Sequence, residues 1–319
     1  MKQPLFVIIL LLLFLIAACS NSSSSGAIQK VGLLVPETVN DQVWGTKGYK
    51  GMLHIQSEFD AEVFYKEGMD NEEIVSDAIR EFSDKDINLI FGHGSEYASW
   101  FNKIAPKYPD IHFVCFNGDV KGDNVTSLNF KSDAMGFFGG MVASGMTKTN
   151  KVGVIAAFEW QPEVNGFFEG ALYQNPDVKV EINYTEHWDH VDTAMQQLEQ
   201  MIASGVDVVY PAGDGFNVPL IERLKEEGLY AIGFISDQSD LGEATVLTST
   251  IQHVDVLYGK VARDFNEGKL ESGNLYFDFD NEVIKMGKFS SEVNPQLQSK
   301  VNDSIETFIN TGNLPNQVE

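Results

Sequence analysis

The stretch "NDQVWGTKGYKG", Asn40 to Gly51, carries three glycines at a three-residue interval, Gly45, Gly48 and Gly51, with Lys47 and Lys50 between them. Glycines and lysines in a strand-to-helix turn are the raw material of a phosphate loop. A Walker loop requires Gly-x-x-x-x-Gly-Lys-Ser/Thr, and a dinucleotide loop Gly-x-Gly-x-x-Gly with an acid about 20 residues on. The present spacing meets neither rule. Residues three apart share roughly one helix face, so the glycines suit close approach of a helix to the sheet. The groups that could meet a ligand stand just before them. Asp41 offers a carboxylate to hydroxyl or amine donors, and Trp44 an indole that can stack on a flat ring. Base-type stacking of that kind contributes about 1–3 kcal/mol.

Three further constellations bear on chemistry. "FGHGSEY" brings His93, Ser95 and Glu96 together. A Ser/His nucleophile pair defines a hydrolase alternative, but no Gly-x-Ser-x-Gly elbow accompanies it. The better reading is a turn whose groups line a crevice. "EHWDH" places His187 and His190 beside Glu186 and Asp189. Without a Cys cluster or a His-Glu-x-x-His helix it reads as a polar loop, and neither a metal nor a cofactor is expected. "AGDGFN" offers Asp214, Phe216 and Asn217 at a strand end, a set suited to an organic ligand with hydrogen-bonding edges or to an ordinary tight loop.

The elements that must position these groups alternate. "VGLLVP", "EVFYKE", "INLIFGHG", "IHFVCFNGD" and "NVTSLNF" read as strands, separated by segments of helical periodicity such as Ile74, Ala78, Ile79 and Phe82. The order restarts with "KVGVIAAF", then "VKVEINYT", "VDVVYPAGDG" and "LYAIGFISD". Strands alternating with helices imply parallel sheets covered on both faces. The expected class is therefore α/β with two lobes joined by a hinge. Lobe 1 spans 28–130 plus about 248–319, and lobe 2 spans 131–247. "GFFGGMVASGM" is too short to span a membrane and is expected as a buried helix. Ligands of open parallel sheets sit beyond the carboxyl ends of strands. Those ends include Trp44, His93, Asn117, Phe158, Trp160, Asp214, Phe216, Asn217 and Asp237.

The N-terminus adds an address. Lys2, an apolar run from Leu5 to Ile16, and Ala17-Ala18-Cys19 describe an export signal over residues 1–18. A cysteine after Ala-Ala resembles the lipobox of bacterial lipoproteins, which implies a diacylglyceryl Cys19 with palmitate-type chains. Two chains anchor a protein where one holds it weakly. Residues 19–27 then form the lipidated cysteine and a Ser-rich tether. The expected location is the outer face of the cell membrane. With Cys19 acylated, Cys115 is left in the apolar run "IHFVCF" as a buried small hydrophobe. A net charge of −24 opposes contact with nucleic acid phosphates, so no direct nucleic acid partner is expected.

Several stretches together resemble the basic membrane protein family of bacterial lipoproteins, the substrate-binding proteins of ABC importers of the purine nucleoside receptor type. They include "NDQVWG", "YPDIHFVCFNGD", "NVTSLNFKSDAMGFFGGMVASGMTKTNKVGVIAAF", "VDVVYPAGDG", "YAIGFISDQSDL" and "VLTSTIQHVDV", and the likeness runs from about Val31 to Asp255. The resemblance implies a type I periplasmic-binding-protein fold, no enzymatic activity, a small-molecule ligand, an ABC permease or membrane signalling partner, and a monomer. The family's Asp-Lys-Ser-Phe-Asn run becomes Asp41-Gln42-Val43-Trp44-Gly45. An acid that ends the fourth strand in the family is Asn117. The Asp-Ser-Asp-Gln run is Ile235-Ser236-Asp237-Gln238, and a lysine is replaced by Gln252. Asp214 and Phe216 stand at glycine positions. The resemblance thus implies a solute-binding lipoprotein with an altered pocket for a flat, polar, nucleoside-like ligand. Wording such as "VWGTKGYKG" and "YPAGDG" is also similar to a family member that regulates competence. That likeness implies the alternative of a lipoprotein promoting competence gene transcription indirectly.

Overall fold

The computed structural model describes residues 28–40 and 44–317. The export signal, Cys19, the tether and Asp41 lie outside the described residues. The chain runs β1 (Lys30–Leu34), α1 (Trp44–Phe59), β2 (Glu62–Lys66), α2 (Glu72–Asp84), β3 (Leu89–Gly92), α3 (Glu96–Ile104), β4 (His112–Phe116) and β5 (Val125–Phe130). A second series follows: α4 (Ser132–Met146), β6 (Lys151–Ala156), α5 (Pro162–Gln174), β7 (Lys179–Tyr184), α6 (Val191–Ser204), β8 (Val208–Ala212), α7 (Asn217–Glu226) and β9 (Tyr230–Gly233). Then come β10 (Val246–Gln252), α8 (Val254–Asn266), β11 (Gly273–Phe277), β12 (Ile284–Met286) and α9 (Pro295–Thr311).

Two six-stranded sheets result, ordered β11-β5-β4-β3-β1-β2 and β12-β10-β9-β8-β6-β7. Every pairing is parallel except β10 with β12. Side chains alternate across each strand, and both faces are covered. Leu89 and Phe91 of β3 enter one apolar cluster, while Ile90 between them enters the other. Cys115 lies in that second cluster, fully buried, and burial pushes its thiol up to about 12.

Sheet membership corrects the expected lobe boundary. β10 was expected to return to lobe 1 from about residue 248, yet it pairs with β9 in the second sheet. In the tail, α8 packs on α1, β11 joins the first sheet, and β12 and α9 belong with the second, α9 lying on α4. The chain therefore crosses between sheets three times, at Lys131, at His253 and between β11 and β12. An apolar strand such as "VLTSTI" fits either sheet. Its hydrogen bonds to β9 and β12 decide the matter.

The glycines of α1 allow close packing, though against His93 just beyond β3 and Tyr258 of α8 rather than against the strands of the sheet. A Cβ on Gly48 would stand 2.8 Å from His93 Cδ2, and one on Gly51 2.4 Å from Tyr258 Cγ. α4 and α5 interlock in the same manner. A Cβ on Gly136 would lie 2.1 Å from the Glu163 carbonyl oxygen, and one on Gly170 1.9 Å from that of Phe137. The "GFFGGMVASGM" segment is accordingly a buried helix. Among the described residues no helix is long and apolar enough to cross a membrane.

Candidate functional site

A cleft of about 510 Å³ opens where the carboxyl ends of the strands of both sheets face each other. That volume suits a small organic molecule. Of the residues proposed from the sequence, Trp44, His93, Asn117, Trp160, Asp214 and Gln252 line it.

Trp44 opens α1 and is fixed from beneath. Its indole stacks on the His93 ring at 4.5 Å and 15°, and Phe116 and Phe130 meet it edge-on. The indole Nε1 donates to the His93 carbonyl at 3.2 Å. His93 Nε2 lies 2.7 Å from the Trp44 carbonyl, which can only accept. The proton therefore sits on Nε2, and Nδ1 receives the Tyr258 hydroxyl at 2.9 Å. Both ring nitrogens of His93 are thus engaged in seating Trp44 and Tyr258.

Across the cleft, Trp160 is 58% exposed and stacks on Phe158 at 5.3 Å and 14°. Phe158 thus backs the wall without lining the cleft. Trp188, which sequence reasoning missed, meets Trp160 edge-on at 5.8 Å and completes an aromatic corner.

Three expected ligand positions prove to be structural. Phe216 is fully buried in the core of the second sheet, below Gly213. Asn217 is fully buried too; it donates to the Asp214 carbonyl and accepts from Gln238 Nε2 at 2.8 Å, so it shapes the loop that presents Asp214. Asp237 turns outward and accepts from the backbone N–H groups of Ser239 and Lys288 at 3.1 and 3.3 Å. A strand-end motif does not reveal which side chains point inward. Two of these turns bend through left-handed backbone, Asn117 with φ 53° and Ile235 with φ 61°. A β-branched residue there is strained, by about 1–3 kcal/mol. Ile235 stands where the resemblance expects an acid, and it presents an apolar face to the cleft.

Two acids of the cleft sit at helix starts. Glu163 follows Pro162 in the first turn of α5, and Glu96 begins α3. Burial above all raises the Glu163 carboxyl, which Gln161 Nε2 partly steadies at 2.8 Å. Glu96 is likewise raised, chiefly by burial and further by the charge of Glu37, while its own backbone N–H pulls the other way. At the crossing between β10 and α8, Gln252 Nε2 donates to Ser132 Oγ at 3.1 Å. Gln252 Oε1 is buried and has no partner among the described residues. Lys47 donates to the Gln252 carbonyl at 2.8 Å, which ties α1 to this crossing. Burial lowers its ammonium to about 8.

At the outer edge of the cleft, His187 Nδ1 meets Asp189 Oδ1 at 2.5 Å, and the His187 and His190 rings stack at 4.1 Å. Their potential ligand atoms lie within 4.8 Å of one another, so the polar loop expected here is also the described residues' one grouping able to hold a metal ion.

Comparison with known proteins gives a consistent answer. The family model of PnrA-like ABC transporter substrate-binding proteins, Bmp, matches residues 28–317. The chain is 54% identical over 291 residues to the transcriptional activator protein med of Bacillus subtilis, covering 91% of this chain and 92% of that one. Among solved structures it is similar to a transcriptional activator of the comK gene from Bacillus halodurans, with a TM-score of 0.83 and 50% identity, over 90% of this chain and 99% of that one. A solute-binding protein of an Aeropyrum pernix ABC system has the same fold, with a TM-score of 0.74 at 20% identity, over 91% and 82%.

Proposed function

This chain belongs to the Bmp family of PnrA-like ABC-transporter substrate-binding proteins, and from that premise we propose that it is a membrane-anchored, extracellular solute receptor that closes on a small polar ligand with an aromatic ring. Family and fold are those of solute-binding proteins, not of enzymes. The observation that carries the reading is the cleft between the two sheets, walled by Trp44 on one side and by Trp160 and Trp188 on the other. Stacking between those walls brings the lobes together about the three crossings, and the ligand shifts the open–closed balance by its differential affinity for the closed form. The Cys19 lipid holds the receptor at the membrane surface beside a permease or a signalling protein. Thermal-shift measurements on the full chain in detergent, against nucleosides, bases and amine metabolites, test this. A saturable rise in melting temperature that Trp44→Ala abolishes is expected. A full panel without any rise sinks the proposal.

The similarity to proteins described as transcriptional activators favours a second reading, in which the same cleft senses rather than imports. A chain of net charge −24 is unsuited to DNA, so the regulation would be indirect, through a membrane partner, and would promote competence gene transcription. Gene deletion separates the readings. Lost competence-promoter output with intact solute uptake favours sensing, and the reverse favours import.

A further inference from the structure

The charge pattern of the cleft names the class of ligand. Among the described residues five carboxylates line it, those of Glu37, Glu96, Glu163, Asp189 and Asp214, and no lysine or arginine side chain does. Asp189 is paired with His187 at the cleft edge. Glu96 and Glu163 are both largely held away from water, and burial is the chief cause that raises each carboxyl. Closing the lobes on an uncharged ligand would dehydrate this acidic set further and bring it no positive charge, which is costly for any ionised group. An anion fares worse. The starts of α3 and α5, whose N–H groups would otherwise receive a phosphate or carboxylate, are each occupied by the chain's own acid.

A cation answers every one of these features. Indole faces carry negative potential and attract organic cations, more strongly where water is excluded. Three of the chain's four tryptophans line this cleft. The buried Oε1 of Gln252, without a partner among the described residues, asks for an N–H donor at the floor, where the chain crosses between lobes.

Resting on the solute-binding reading above, we propose that the cleft is a receptor site for a small, flat organic cation of the amidinium, guanidinium or ring-ammonium class. Its charge is met by the carboxylates of the cleft wall, Glu96 and Glu163 among them, its plane rests against Trp44 or Trp160, and one N–H donates to Gln252 Oε1.

Benzamidinium, neutral benzamide and anionic benzoate are nearly the same shape and differ in charge. Titrated into the full chain in detergent and followed by tryptophan fluorescence, benzamidinium should bind at least tenfold more tightly than benzamide, and benzoate should give no saturable response. Raising ionic strength should weaken benzamidinium and leave benzamide unchanged. Glu96→Gln and Glu163→Gln, each checked for an unaltered circular dichroism spectrum, should bring benzamidinium down to the level of benzamide. Equal or tighter binding of benzamide or benzoate overturns the assignment, as does silence towards all three. A neutral nucleoside that compacts the protein in small-angle scattering, alongside failed benzamidinium binding, overturns the cation class and leaves the solute-binding reading standing. Absence of compaction by nucleosides and amines alike removes both.

Discussion

Replacing Gly48 with alanine tests how the site is held. In a bare helix the change stabilises by about 1 kcal/mol, because glycine is the poorer helix former. Here the new Cβ would stand 2.8 Å from His93 Cδ2 and 2.9 Å from Nε2. Real carbon contacts do not survive at that distance, so the ring or the helix must move. The ring has little freedom. It is hydrogen-bonded at both nitrogens, at 2.7 and 2.9 Å, and sandwiched under the Trp44 indole. Overpacking in such a place costs about 1–3 kcal/mol, and each distorted hydrogen bond about 1 kcal/mol more. After the helix gain is subtracted, Gly48→Ala should destabilise by about 1–3 kcal/mol and lower the melting temperature by a few degrees. Gly139→Ala is the control. It lies within α4, and its Cβ would meet Ile232 Cγ2 at 3.4 Å, an ordinary contact. That variant should be as stable as the parent or more so. Thermal and urea unfolding by circular dichroism read both. A Gly48→Ala protein at least as stable as the parent, or a Gly139→Ala protein that loses more than Gly48→Ala, refutes the packing argument. The same experiment reads function, since a displaced His93 tilts the indole above it. Gly48→Ala should weaken binding of any ligand that stacks on Trp44.

Three other outcomes follow from the same geometry. Trp44→Ala should weaken benzamidinium binding by about 1–3 kcal/mol, while Trp44→Phe keeps most of it, as isothermal titration calorimetry will show. Lys47 has its folded-state value lowered to about 8 from 10.5 by burial, so between those pH values the unfolded chain binds more protons. Stability should therefore rise with pH across that window, by at most about 3 kcal/mol from this group, and Lys47→Met should flatten the slope in pH-dependent urea unfolding. Glu163 shows the opposite sign, because burial raises its carboxyl and the folded chain holds the proton longer. Its contribution is fully favourable only below the ordinary carboxylate range and is lost as pH rises through the raised value. Without ligand, Glu163→Gln should stabilise the protein at neutral pH by about 1 kcal/mol, since Gln161 retains an acceptor. A drop in melting temperature in that variant would contradict the account.

Much of the architecture was legible in the chain itself. The alternation from Val31 to Asp237 determined two α/β units, because continuous apolar runs bounded by glycine and amphipathic helices admit few other arrangements. The three-residue glycine interval indicated that α1 packs closely along one face, but only the tertiary structure showed that His93 and Tyr258 are what it packs on. Strand ends determined where the cleft lies, and Trp44, Trp160 and Asp214 were found there. Direction and partnership were decided in three dimensions. β10 reads the same for either sheet, and only its pairing with β9 assigns it. Phe216, Asn217 and Asp237 stand on the right loops and face away from the cleft, because the left-handed turn at Ile235 and the packing under Gly213 set their direction. Glu163 looks like an ordinary first-turn acid of a helix. It becomes a buried carboxyl on the cleft wall because Gly136 lets the backbone of α4 come close beneath it, a contact between residues far apart in sequence.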